Sequence, residues 1–102
     1  MTRAAAIQSA EHYFDSRQFH ADLARRVALP TESQNPDRAD VLRAYLADEL
    51  TPSLQALGFA CEVFASPGGK TPFMIATRIE AEHLPTLLSY GHGDVVRGLE
   101  PQ

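Results

Sequence analysis

Apolar residues recur every three or four positions through the first half of the chain and every second position through much of the rest. The change of period falls at Gly58. Three amphipathic helices are predicted before that boundary. The first spans residues 2–14, where Ile7, Ala10, Tyr13 and Phe14 share a face within a run rich in Ala, Gln and Glu. Asp15 and Gln18 have the spacing of a capping box, with Phe14 and Phe19 at the staple positions around it, so a second helix is predicted over 16–29. Phe19, Leu23 and Val27 form its apolar row, and Pro30 ends it by disfavouring helical geometry at the residue before. Asn35-Pro36 reads as a cap and a first-turn proline, opening a third helix over 36–57. Leu42, Tyr45, Leu46, Leu50, Leu54 and Leu57 keep one phase across Pro52. That predicts one kinked or restarted helix rather than two independent ones, with Gly58 at its C′ position.

After Gly58 the pattern is that of strands over 59–65, 72–79 and 86–91, each bounded by turn residues. The first two are expected to pair antiparallel across Ser66-Pro67-Gly68-Gly69-Lys70-Thr71, a loop slightly long for a hairpin. The expected fold class is α/β: amino-terminal helices packed on a mixed β-sheet, with three strands present, as one domain over residues 1–102.

Composition narrows the function classes. With 102 residues, 44% hydrophobic and 22% charged, the chain resembles an ordinary globular domain able to bury a core. Its formal charge of −4, with basic residues scattered, lacks the footprint of a nucleic-acid or anionic-membrane binder. Gln8, Glu11 and His12 interrupt the first apolar stretch well short of the ~20 residues of a membrane span, and no secretion signal is expected. Cys61 is the single cysteine, so no intrachain disulfide forms, which fits a cytoplasmic location.

Candidate chemistry concentrates in Leu87-Leu88-Ser89-Tyr90-Gly91-His92-Gly93-Asp94-Val95-Val96. An apolar strand runs into glycines, with a histidine and a carboxylate two residues apart where the strand should stop. His92 offers an imidazole nitrogen to a divalent cation. Asp94, at the same side-chain parity, either ligates as well or orients the imidazole. Gly91 and Gly93 are expected to relieve crowding. The bland reading of the pair is a histidine hydrogen-bonded to a nearby carboxylate for structural reasons.

Other candidates are weaker. Gly69-Lys70-Thr71 is not a phosphate loop, because Phe64 stands where the motif needs glycine and a strand follows where it needs a helix. His12, His20 and His83 have no ligand partner at short spacing and read as solvated surface. Cys61 reads as packing within a strand. Ser33, Ser66 and Ser89 lack a nucleophile-elbow context.

The decapeptide Leu87 to Val96 resembles the first signature of the zinc peptidase family of acetylornithine deacetylase, succinyl-diaminopimelate desuccinylase, aminoacylase and glutamate carboxypeptidase. That signature is an apolar run, a small residue, His-x-Asp and an apolar pair. Val27-Ala28-Leu29-Pro30-Thr31-Glu32-Ser33 is similar to the family's helix-to-loop stretch ending in Pro-Ser/Thr-x-Ser. The resemblance implies that His92 binds one of two zinc ions, with cobalt or manganese as substitutes, and that Asp94 is the carboxylate behind it. It implies hydrolysis of an amide bond in an N-acyl amino acid or small peptide, and a chain that is the amino-terminal segment of the catalytic domain. The family's bridging Asp, general-base Glu, further acidic ligands and last His are expected beyond Gln102, so the 102-residue chain is expected to be inactive alone. A sheet that ends after its third strand leaves an unpaired edge and an uncovered apolar face, so the chain is also expected to form a homo-oligomer. Arg97 and Glu100 are near the site in sequence only. Two rival readings are a non-enzymatic α/β interaction module with a structural His-Asp pair, and a metal-dependent phosphoesterase.

Overall fold

The structure, a computed structural model, describes residues 1–69 and 71–95. Lys70, Val96, Arg97 and Glu100, all named above, lie outside the described residues. Two helices come first, α1 (Arg3–Asp15) and α2 (Gln18–Val27). Thr2 caps α1 by accepting the Ala5 N–H on its hydroxyl at 3.1 Å. The expected capping box at the α1–α2 junction does not form. Asp15 is still helical, and Arg17 turns the chain with a left-handed φ of 65°. Gln18 Nε2 donates forward to Asp22 Oδ1 instead of reaching back. The staple aromatics nonetheless meet, with Phe19 lying 6.2 Å from Phe14 and 5.9 Å from Tyr13 between ring centroids.

The third helical region runs through four segments: a 3₁₀ turn (Pro36–Arg38), α3 (Ala39–Ala44), a π-helical stretch (Tyr45–Leu50) and α4 (Thr51–Ala56). Asn35 opens it, its side chain accepting the Asp37 N–H at 3.0 Å ahead of Pro36. The predicted irregularity at Pro52 is a π-bulge in the preceding turn. Pro52 has no N–H to give to the carbonyl four residues back and its ring crowds that carbonyl, so the helix widens before it. Thr51 satisfies the Leu46 carbonyl with both its N–H and its Oγ1, the latter at 2.8 Å. Gly58, at φ 87°, ends α4 as expected. The Gly58 N–H bonds to Gln55 O at 2.9 Å and the Phe59 N–H to Leu54 O at 3.1 Å, the bond pair of a Schellman motif.

Two strands follow, β1 (Ala60–Ala65) and β2 (Pro72–Thr77), paired antiparallel from Ala60↔Thr77 to Ala65↔Pro72. The face carrying Cys61, Val63, Met74 and Ala76 lies toward the helix, where the Thr51 hydroxyl reaches Met74 Sδ at 3.4 Å. Phe64 and Phe73 stack at 5.2 Å between centroids in directly opposed positions. The fold is therefore mixed α/β, but the sheet differs from expectation. Among the described residues it is an antiparallel pair, not a three-stranded mixed sheet, and residues 86–91 form no strand. A strand exists only where its backbone finds a ladder partner, and among the described residues this apolar stretch pairs with neither β1 nor β2.

The expected core is also small. Among the described residues only Leu42 and Thr31 are buried, while Leu87, Leu88 and Tyr90 are each at least 90% exposed. The apolar row of α2 (Phe19, Leu23, Val27) is exposed as well. Polar contacts hold α2 in its place. Arg25 Nε donates to both Glu49 carboxylate oxygens at 2.9 Å, Arg26 Nη2 donates to Ser53 Oγ at 3.0 Å, and Asp22 accepts from the Tyr13 hydroxyl at 2.6 Å.

Candidate functional site

The site begins where α2 ends. Pro30 stops the helix, and the tight turns after it, with the Thr31 N–H on Leu29 O and the Glu32 N–H on Pro30 O, present Thr31 and Ser33 to one side. Thr31 is the most deeply buried polar residue described, 2% exposed. Its Oγ1 donates to the Gly93 carbonyl at 2.7 Å, and its own carbonyl accepts the Val95 N–H at 3.0 Å. One residue thus grips the chain on both sides of Asp94. Ser33 Oγ donates to Asp94 Oδ2 at 2.8 Å, and the other carboxylate oxygen, Oδ1, lies 2.7 Å from His92 Nδ1.

That last contact sets the chemistry of the ring. An ionised carboxylate only accepts, so Nδ1 carries the proton, and in the neutral imidazole Nε2 keeps its lone pair. Among the described residues nothing hydrogen-bonds to Nε2. The donors around Asp94 hold its carboxyl below the usual carboxylate range, chiefly the Ser33 hydroxyl and then His92, against an opposing effect of desolvation. Both oxygens of Asp94 are engaged, the arrangement of a carboxylate that orients an imidazole.

Gly93 is where the backbone needs a missing side chain. A Cβ there would fall on the Tyr45 ring, 2.6 Å from Cζ and 2.8 Å from the hydroxyl oxygen. Gly91 meets nothing within 4 Å, so the expected relief of crowding applies to Gly93 alone. Tyr45 stands at the start of the π stretch, so the bulge before Pro52 and the placement of the His-x-Asp segment are joined through that ring. An open groove of about 810 Å³ adjoins the site, with Leu46, Leu50 and Met74 among its apolar lining and Ser33, Tyr45, His92 and Asp94 among its polar one.

No family model, curated protein or solved structure matches this chain. His92 and Asp94 are brought together, but among the described residues no group of three or more His, Cys, Asp or Glu side chains is placed to hold a metal ion. His12, His20 and His83 are exposed and apart from the pair, and Cys61 is a free, half-buried thiol on β1. Ser89 lines the groove, and Ser66 faces Thr71 across the hairpin loop.

Sequence reasoning missed three site residues. The Pro30-Thr31-Glu32-Ser33 stretch stands out in the sequence as a helix-to-loop segment, but nothing in it links Thr31 or Ser33 to the His92–Asp94 pair. The usable signal was the Pro-Thr-Glu-Ser stretch itself, where two hydroxyl residues follow a helix-ending proline. Tyr45 carried no such signal, because an aromatic in an apolar helical phase reads as packing.

Proposed function

We propose that this chain carries the first metal-ligand segment of a zinc-dependent amidohydrolase, a cytoplasmic deacylase or peptidase that cleaves the amide bond of an N-acyl amino acid or small peptide. The observation that carries the reading is the hydrogen-bonded chain Ser33–Asp94–His92, in which Asp94 Oδ1 sits on Nδ1 of an exposed imidazole and no described residue bonds to Nε2. Asp94 holds Nδ1–H and raises the donor strength of the ring. His92 Nε2 is the metal ligand. The groove beside it, lined by both apolar and polar side chains, suits a small acyl or side-chain group. When bound, zinc supplies Lewis acidity toward the attacking water and the scissile carbonyl.

The residues present fit this role in part. One histidine with its orienting carboxylate is one ligand, fewer than a zinc ion takes. The 102-residue chain is accordingly expected to bind zinc weakly and to show no amide hydrolysis. Robust turnover by this chain, abolished by a chelator and by His92→Ala, would overturn that expectation.

The test of the reading itself uses the protein expressed from the complete reading frame, assayed on a panel of N-acyl amino acids and dipeptides. Hydrolysis should be lost on chelation, restored by zinc or cobalt, and abolished in His92→Ala. Absence of metal-dependent amide hydrolysis, with the fold intact in His92→Ala, would leave a structural His-Asp pair in an interaction module. Turnover of phosphate esters instead would favour a phosphoesterase.

A further inference from the structure

We infer that Ser33 is a positioning residue for His92: by holding Asp94 Oδ2 it fixes the carboxylate that holds Nδ1–H, and so keeps Nε2 as the free lone pair of the ring. That this lone pair serves a metal rests on the reading above, whereas the positioning itself does not.

His92 and Asp94 are only two residues apart, and their side chains are 66% and 42% exposed. An exposed pair of that kind gains little by itself, because water competes for both partners and each side chain gives up rotamer freedom. Two attachments from a loop some sixty residues earlier alter the balance. Thr31 touches only main-chain atoms of residues 93 and 95, so it determines where the segment lies. Ser33 touches the carboxylate itself, so it determines which way Asp94 faces. With Oδ2 held, Oδ1 is presented to Nδ1. With Oδ2 free, the carboxylate rotates about its side-chain torsions and the ring loses its fixed acceptor. The tautomer of a neutral imidazole follows the hydrogen bond that one of its nitrogens makes, so the effect of Ser33 is readable on His92.

The experiment is nitrogen NMR of the ¹⁵N-labelled chain at pH 8.5, about two units above the ordinary histidine pKa, with His92 assigned through His92→Gln. Ser33→Val and Ser33→Thr are compared, since they differ in the hydroxyl at nearly constant shape. Protection of the Val95 amide from exchange reports that the Thr31 grip is intact in each variant. The Nδ1–H tautomer should dominate in the parent chain, give way to a mixture in Ser33→Val, and return in Ser33→Thr. A zinc titration followed on the same resonances should show about tenfold weaker binding at His92 in Ser33→Val, the low end of the ~10–100-fold range for partners behind a ligand. A His92 tautomer indifferent to the Ser33 hydroxyl overturns the proposal, even if zinc binds His92 normally. A tautomer that follows the hydroxyl while zinc leaves His92 unperturbed in every variant upholds the positioning and removes the metal reading. Should Ser33→Val lose Val95 protection, Ser33→Ala is substituted under the same criteria, and a variant tautomer equal to the parent's in it again overturns the proposal.

Discussion

At the scale of single residues, the site is a place where small differences in side-chain chemistry have separable effects. Gly93→Ala places a methyl group on the Tyr45 ring and is expected to cost about 1–3 kcal/mol, as overpacking does elsewhere. Gly91→Ala, with open space around the new methyl, should be nearly silent, within ~0.5 kcal/mol. Denaturant midpoints of the two variants check the contrast. In a Tyr45→Ala background Gly93→Ala should cost much less than it does alone, since the two residues share one contact. Equal effects at 91 and 93 would mean that the Tyr45 approach does not constrain the segment.

At the scale of elements, two devices place the site. The first is the π stretch before Pro52. In Pro52→Ala the new N–H can bond to Asp48 O, and tightening the bulge to α geometry removes one residue of phase, about 100° of rotation between the two sides of the helix. Tyr45 and α4 then cannot both keep their present partners. Loss of the Tyr45–Gly93 contact or of the Thr51–Met74 contact in NMR is the expected result, and retention of both would show that the bulge does not depend on the proline. The second device is the polar clamp on α2.

Hydrogen bonds from Arg25, with lesser help from Arg26, lower the pKa of Glu49, and those from Tyr13 and then Arg25 lower that of Asp22. Both carboxyls have folded pKa values below their unfolded ones, so the unfolded chain binds more protons in the interval between. The clamp's contribution is therefore complete above the ordinary carboxylate range and is lost as pH falls through the lowered values. Tyr13 behaves oppositely. Its hydroxyl, donating to Asp22, has a raised pKa, so its contribution is present below the ordinary tyrosine value and lost as pH rises through the raised one. Protection of the α2 amides, taken relative to their intrinsic exchange rates at each pH, should accordingly be greatest between these limits, and protection unchanged down to pH 2 would show that the clamp does not stabilise α2.

At the scale of the whole molecule, the dominant quantity is uncovered surface. The chain exposes 8782 Å², against about 5,700 Å² for a typical folded monomer of its 11.2 kDa mass. Leu87, Leu88 and Tyr90 stand out on a backbone without ladder bonds, and among the described residues the sheet has two strands, each with an open edge. Such an arrangement favours strand addition between copies. Self-association at micromolar concentration is the expected outcome in sedimentation, weakened by Leu88→Lys at unchanged helix content. A strictly monomeric chain that unfolds in one cooperative step would contradict it.

The local grammar of the chain determined much of this structure in advance. Helical phase, the Asn35-Pro36 opening, the Gly58 stop and the β1–β2 pairing are interactions between residues close in sequence, and such signals are written where they act. The pairing of His92 with Asp94 was legible for the same reason, since the two are separated by a single residue. Three features were decided only by tertiary structure. Residues 86–91 have strand-like composition, but a ladder needs a partner that no local pattern supplies. The capping box at Asp15 gave way to an αL turn at Arg17, because a side-chain cap competes with whatever places the next helix. Ser33, Thr31 and Tyr45 joined the site from 61, 62 and 48 residues away, across a chain path that periodicity does not describe. Short-range hydrogen bonds and capping are local energies, whereas a clip between distant loops exists only after the helices between them have been packed.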